Sequence, residues 1–105
     1  MLIAQKSSPN FEAVFVDCFL SGKEIRFGLV YRAPQNENGM AQELLNFLSE
    51  NLIDGKAAVL MGDFNFPAID WVQLTAPDYL GQSDFLGFTL DKGLEQICLR
   101  SYSYQ

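Results

Sequence analysis
Residues 57 to 71 read AAVLMGDFNFPAIDW, in which an apolar run meets a glycine and then presents an aspartate and an asparagine two residues apart. Ligands of α/β proteins bind outside the carboxyl ends of strands, and Asp63 stands at such an end. If the backbone stays extended, Asp63 and Asn65 point to one side, because side chains alternate with period two. Phe64 then points the other way and anchors the turn in the core. Gly62 removes a side chain where a ligand backbone could approach closely. A carboxylate and an amide would thus stand together at a rim. The competing reading is a plain turn, since Asp and Asn hydrogen-bond their own backbone after a strand. Tyr31 and Arg32 end another β-rich run, so Tyr31, Asp63 and Asn65 would all lie at strand ends. Taken alone, Tyr31 and Arg32 could also be an aromatic edge and a surface charge.

Composition limits the chemistry. The chain has 105 residues and no histidine, which removes Ser-His-Asp and Cys-His triads, histidine-ligated zinc and any histidine base. A metal held here would be a hard cation on oxygen ligands. The net charge of −6 disfavours an electrostatic nucleic-acid binder. Cys18 and Cys98 are far apart in sequence, form no Cys-x-x-Cys pair, and are expected to pack as small apolar side chains. A hydrophobic fraction of 49% fits one small folded domain. No apolar run approaches the length of a membrane span and no signal-peptide order opens the chain, so a soluble, non-secreted, intracellular protein is expected.

The elements that must position these residues follow from periodicity. Residues 12 to 20 and 24 to 32 are β-rich runs around SGK, a hairpin turn at Gly22. In the second run Ile25, Phe27, Leu29 and Tyr31 share one face, and Arg26, Gly28, Val30 and Arg32 the other. The first run has apolar residues on both faces, as in a strand covered on both sides. Met40, Leu44, Leu48 and Leu52 predict an amphipathic helix over about 40–54, with Asn38 as N-cap and Asp54-Gly55 as its stop. AAVLM is then a buried strand, and strand, helix, strand is a crossover that places the chain in the α/β class. In AIDW, Ile69 and Trp71 fold down as a hydrophobic plug, with Asp70 solvated or capping. The chain is loop-like to about Ser83, which caps a short helix DFLGFTLDK ending at Gly93. EQICLR reads as a last short strand.

VLMGDFNFPAIDW resembles the Gly-Asp-Phe-Asn motif of the endonuclease/exonuclease/phosphatase superfamily, and FPAIDW looks like the endonuclease domain of non-LTR (LINE-type) retrotransposon polyproteins. FGLVYRAP is similar to the Tyr-Arg-x-Pro stretch that precedes the motif there. The resemblance covers nearly the whole chain. It implies a four-layer α/β sandwich, two β-sheets flanked by helices. It also implies Mg2+- or Mn2+-assisted hydrolysis of a phosphodiester in DNA, with charge stabilisation carrying much of the rate. On that pattern Asp63 orients or deprotonates the attacking water and lies close to the metal. Asn65 contacts the scissile phosphate or the metal, Tyr31 donates a hydrogen bond to the phosphate, and Arg32 touches the DNA backbone. Asp63 and Asn65 are the metal contacts. A reverse transcriptase domain of the same polyprotein is the implied partner, the nucleus the implied place of action, and no membrane is involved.

The sequence departs from the pattern at both ends. The superfamily's early asparagine and metal-binding glutamate have no match, and nothing around Glu12 resembles the glutamate motif. The Ser-Asp-His block is absent; the QSDF at 82–85 has phenylalanine where histidine belongs and reads as a helix cap. Residues 1–105 are therefore expected to be a single partial domain, truncated at both ends and inactive in isolation. Two alternatives stand. One is a phosphoinositide phosphatase or deadenylase of the same superfamily, against which FPAIDW argues. The other is a non-catalytic binding or assembly module in which Asp63 and Asn65 form only a turn and Tyr31, Tyr102 and Tyr104 meet a protein partner.

Overall fold
A computed structural model describes residues 1–34, 41–78 and 81–95. Asn38, Met40, Cys98, Tyr102, Tyr104 and most of EQICLR lie outside them. The elements run β1 (Leu2–Ser7), β2 (Phe11–Leu20), β3 (Lys23–Arg32), α1 (Ala41–Asn51), β4 (Ala58–Asp63) and α2 (Gln82–Asp91). The strands form one mixed sheet in the order β1-β2-β3-β4, antiparallel except for the parallel β3–β4 pair that flanks the crossover helix. The fold is a small α/β unit of two layers among the described residues, one sheet and one layer of helix.

The hairpin forms where the turn chemistry placed it. Ser21 and Gly22 both take positive φ, 53° and 78°, the two-residue geometry whose twist matches paired strands. β1 was not foreseen, because LIAQKS carries little alternation. It is held by pairing with β2, with a register shift between Leu2 and Ala4. α1 is shorter than the periodicity suggests and stops at Asn51, whose amide donates back to the Phe47 carbonyl at 2.8 Å. α2 begins two residues earlier than expected. Gly81 occupies its N-cap in a left-handed conformation with no side-chain cap, so Ser83 lies inside the helix.

The core lies between the helices and one face of the sheet. Phe11, Ala13 and Phe15 of β2 and Val30 of β3 meet Leu44, Phe47 and Leu48 of α1, and Phe47 packs its ring against Phe11 and Phe15. The opposite face is open. Leu29 is 53% exposed, Leu2, Leu20 and Met61 are also exposed, and so is Cys18. β2 is therefore not covered on both sides, and Cys18 is not packed away.

An ion-pair network ties the far end of the sheet to the helix layer. Arg26 grips Asp17 with two hydrogen bonds, 2.8 and 3.0 Å, and sends a third donor to the Asn51 carbonyl at the end of α1. Lys56 bridges Asp17 and Glu24. The hydrogen bonds from Arg26 outweigh burial and hold the Asp17 carboxyl down at about 2. The Lys56 ammonium is raised above its usual range, first by its bond to Glu24.

Candidate functional site
β3 and β4 end side by side. Because they are parallel, their carboxyl ends coincide, and Tyr31 is the register partner of Asp63. Glu12 of β2 is in turn the partner of Tyr31. Register partners share a face, so Glu12, Tyr31 and Asp63 form one row across the open side of the sheet. All three are exposed. With Gln5, Lys6 and Ser7 they border a hollow of about 490 Å³. Glu12 escaped the sequence motifs; only strand register brings it to this row. Among the described residues no three His, Cys, Asp or Glu side chains gather as a cation cage.

Gly62 precedes Asp63 with φ 132°, and a Cβ there would lie 1.8 Å from the Val30 carbonyl oxygen. The close approach that requires glycine is therefore made by β3 rather than by a ligand. It lets the end of β4 press onto β3, which keeps Asp63 beside Tyr31.

Asn65 does not continue the strand. Its φ is 54°, a left-handed conformation that asparagine tolerates, so the extended geometry expected for Asp63 and Asn65 does not occur. The Asp63 carboxylate accepts the Asn65 backbone N–H at 3.1 Å, the Asx turn of the plainer reading. The Asn65 amide donates to the Arg32 carbonyl, which fastens the loop to the end of β3. Asp63 and Asn65 are adjacent, and their adjacency is built by a turn.

Arg32 sits beneath this loop. It is 1% exposed, so it is not a surface charge. Its guanidinium donates to the Phe64 and Asn65 carbonyls at 3.3 and 3.2 Å and lies 4.1 Å above the Phe66 ring. Burial draws its basicity below the usual arginine value. The predicted contact with a DNA backbone is not the direction in which this side chain points.

An aromatic cluster holds the remainder of the loop. Phe66 stacks on Phe85 of α2 at 4.5 Å, Phe64 lies 5.1 Å from the same ring, and Trp71 meets it edge-on at 6.5 Å. Phe64 is thus the inward anchor the alternation predicted. Ile69 is buried and Trp71 half-buried, as expected of the plug. The Asp70 carboxylate caps the backbone N–H groups of Val72 and Gln73. Gln82, also missed, accepts the Ala68 N–H at 2.9 Å and pins the loop to α2. A second hollow of about 660 Å³ opens on this side, walled by Phe64, Trp71, Phe85 and Thr89 and rimmed by Asp63 and Asn65.

The donors along this rim are hard oxygens, which suit Mg2+ in kind. An ion held by one or two carboxylates completes its shell with water and substrate phosphate. No family model, curated protein or solved structure matches this chain. None of the described helices is long and apolar enough to cross a membrane.

Proposed function
We propose that the chain is the central part of a metal-dependent phosphodiesterase domain that nicks DNA, of the type found in non-LTR retrotransposon polyproteins. The observation that carries the reading is the juxtaposition of Tyr31 and Asp63 at two parallel strand ends, with Asn65 fastened beside them. Tyr31 and Asp63, 32 residues apart in sequence, come together at strand ends where α/β proteins bind ligands.

Each group has a role in phosphodiester hydrolysis. The Asp63 carboxylate orients a water and accepts its proton. The Tyr31 hydroxyl donates to a phosphoryl oxygen as charge develops there. Asn65 contributes a second neutral donor, or its Oδ1 as an acceptor. Mg2+ or Mn2+, held by Asp63 and Asn65 Oδ1, would polarise the phosphoryl oxygen. The complete domain is a four-layer sandwich in which a second sheet covers the open apolar face. The reverse transcriptase of the same polyprotein is its partner, and it acts in the nucleus.

The Asx turn from Asp63 to Asn65 favours a second reading, a non-catalytic module in which both residues only shape a loop. A titration separates the two. Mg2+ added to the isotope-labelled chain shifts the Asp63 and Asn65 resonances if they face a metal, and leaves them in place if they form a turn alone. Nicking of supercoiled DNA by the longer domain, lost in Asp63→Ala, tests the activity itself.

A further inference from the structure
The nuclease pattern gives Arg32 to the DNA backbone, whereas its surroundings give it a different task. Resting on the reading above, we infer that Arg32 is a positioning residue that sets the Asn65 amide for its ligand and does not touch DNA. Four contacts converge on this. The guanidinium donates to the Phe64 and Asn65 carbonyls, so it grips the two peptides on either side of Asn65. It lies over the ring of Phe66, the next residue along. The main-chain carbonyl of Arg32 itself receives the Asn65 side-chain amide. Main chain and side chain of Asn65 are thus both held by residue 32.

The consequence is chemical. An asparagine amide has two N–H donors and one acceptor oxygen. With one N–H given to the Arg32 carbonyl, at most the second N–H and Oδ1 serve a ligand, and the rotamer is fixed before the ligand arrives. Such preorganisation is what makes a neutral donor effective against developing charge. Only arginine suits the position. The planar guanidinium sends both N–H groups of Nη1 to the two carbonyls and lies over the Phe66 ring, whereas a lysine ammonium is a point charge on a flexible stem. The left-handed backbone at Asn65 belongs to the same device, since the carbonyls on either side of it are those the guanidinium holds.

The test needs neither metal nor DNA, so its failure is separable from failure of the nuclease reading. In the wild-type 105-residue chain, a scalar coupling across the hydrogen bond from Asn65 Nδ2–H to the Arg32 carbonyl carbon is expected, with slow exchange of that proton. Arg32→Lys should speed the exchange about tenfold, the weight of one net hydrogen bond. In Arg32→Ala, added guanidinium ion should fill the vacated space and restore the wild-type Asn65 signals, which a general loss of fold would not allow. An Asn65 amide that exchanges like a free side chain in the wild type overturns the inference, as does an Arg32→Lys chain with unaltered Asn65 signals. If neither variant folds, the wild-type Arg32 side chain decides the matter: slowly exchanging guanidinium protons coupled to the Phe64 and Asn65 carbonyl carbons support the inference, and freely exchanging ones overturn it.

Discussion

Tyr31 and Asp63 are direct register partners at the carboxyl ends of the parallel strands β3 and β4. Neighbouring strands lie roughly 4.8 Å apart, so a phenol and a carboxylate so paired can address one small group between them. Asp63 has two tasks that substitution can separate, its charge and its turn bond to the Asn65 N–H. Asp63→Asn keeps an acceptor for the turn and removes the charge. In the longer domain it is expected to abolish metal-dependent nicking and to shift stability by no more than about 0.5 kcal/mol. Tyr31→Phe, at an exposed position, should cost on the order of 10²-fold in rate, as loss of one oxyanion donor does. Relaxation of supercoiled plasmid, read beside urea midpoints, checks both. Unimpaired nicking by Asp63→Asn would leave the residue as a turn former.

Gly62 gives the sharpest stability prediction. Any side chain there drives its Cβ into the Val30 carbonyl and is strained at φ 132° as well. Gly62→Ala should cost about 3 kcal/mol or more, because backbone must move on both strands. Chemical denaturation measures it. A near-neutral result would mean that β4 separates from β3 at little cost, and the Tyr31–Asp63 pairing would then lose its rigidity.

The elements that the sequence made legible are those whose cause is local. β-rich composition set β2 and β3 to within a residue, Gly22 marked the hairpin, and the Leu44–Leu48 spacing marked α1. The turn at Asp63 and Asn65 stood as the competing reading from side-chain chemistry, and the inward Phe64 followed from alternation. Long-range effects were hidden. β1 exists because β2 offers it an edge, and Glu12 joins the row only through strand register. Arg32 looked like a surface charge because a buried guanidinium is recognisable only once two carbonyls and a ring surround it. Gly62 was rightly seen as a point of close approach, but what approaches is β3.

Acid should loosen the far end of the sheet. The Asp17 carboxyl, first through the Arg26 hydrogen bonds, titrates at about 2 in the fold, below its ordinary value of roughly 3.9. A depressed folded value means that the stabilisation is fully present above about pH 4 and is lost as pH falls toward 2. Asp17→Asn should therefore be less stable than wild type at neutral pH, with the two curves converging near pH 2. Thermal midpoints across that range test it. Parallel curves would show that the pair contributes no pH-dependent stability.

Phe85 is the hub on which Phe64, Phe66 and Trp71 rest. Removing its ring leaves a cavity under the loop that carries Asn65. Phe85→Ala should lose about 3 to 5 kcal/mol, in the range of buried aromatic deletions. Trp71 should report it by a red-shifted emission as its edge contact is lost. A stability loss without any change at Trp71 would place the damage in α2 rather than in the loop.

The open sheet face decides whether these residues belong to a larger sandwich. Leu29 and Met61 are register partners on it, and both are exposed. Adjacent exposed apolar side chains on a sheet favour association. In the 105-residue chain, Leu29→Lys should raise the soluble fraction and leave unfolding stability within about 0.5 kcal/mol, since no core contact is broken. In a longer chain whose second sheet covers this face, the same lysine would be buried without a partner. It should then cost about 3 kcal/mol or more, the penalty for an uncompensated buried charge. The contrast between the two chains is the informative quantity. Equal tolerance in both would mean that no second sheet packs here and that the four-layer architecture does not apply.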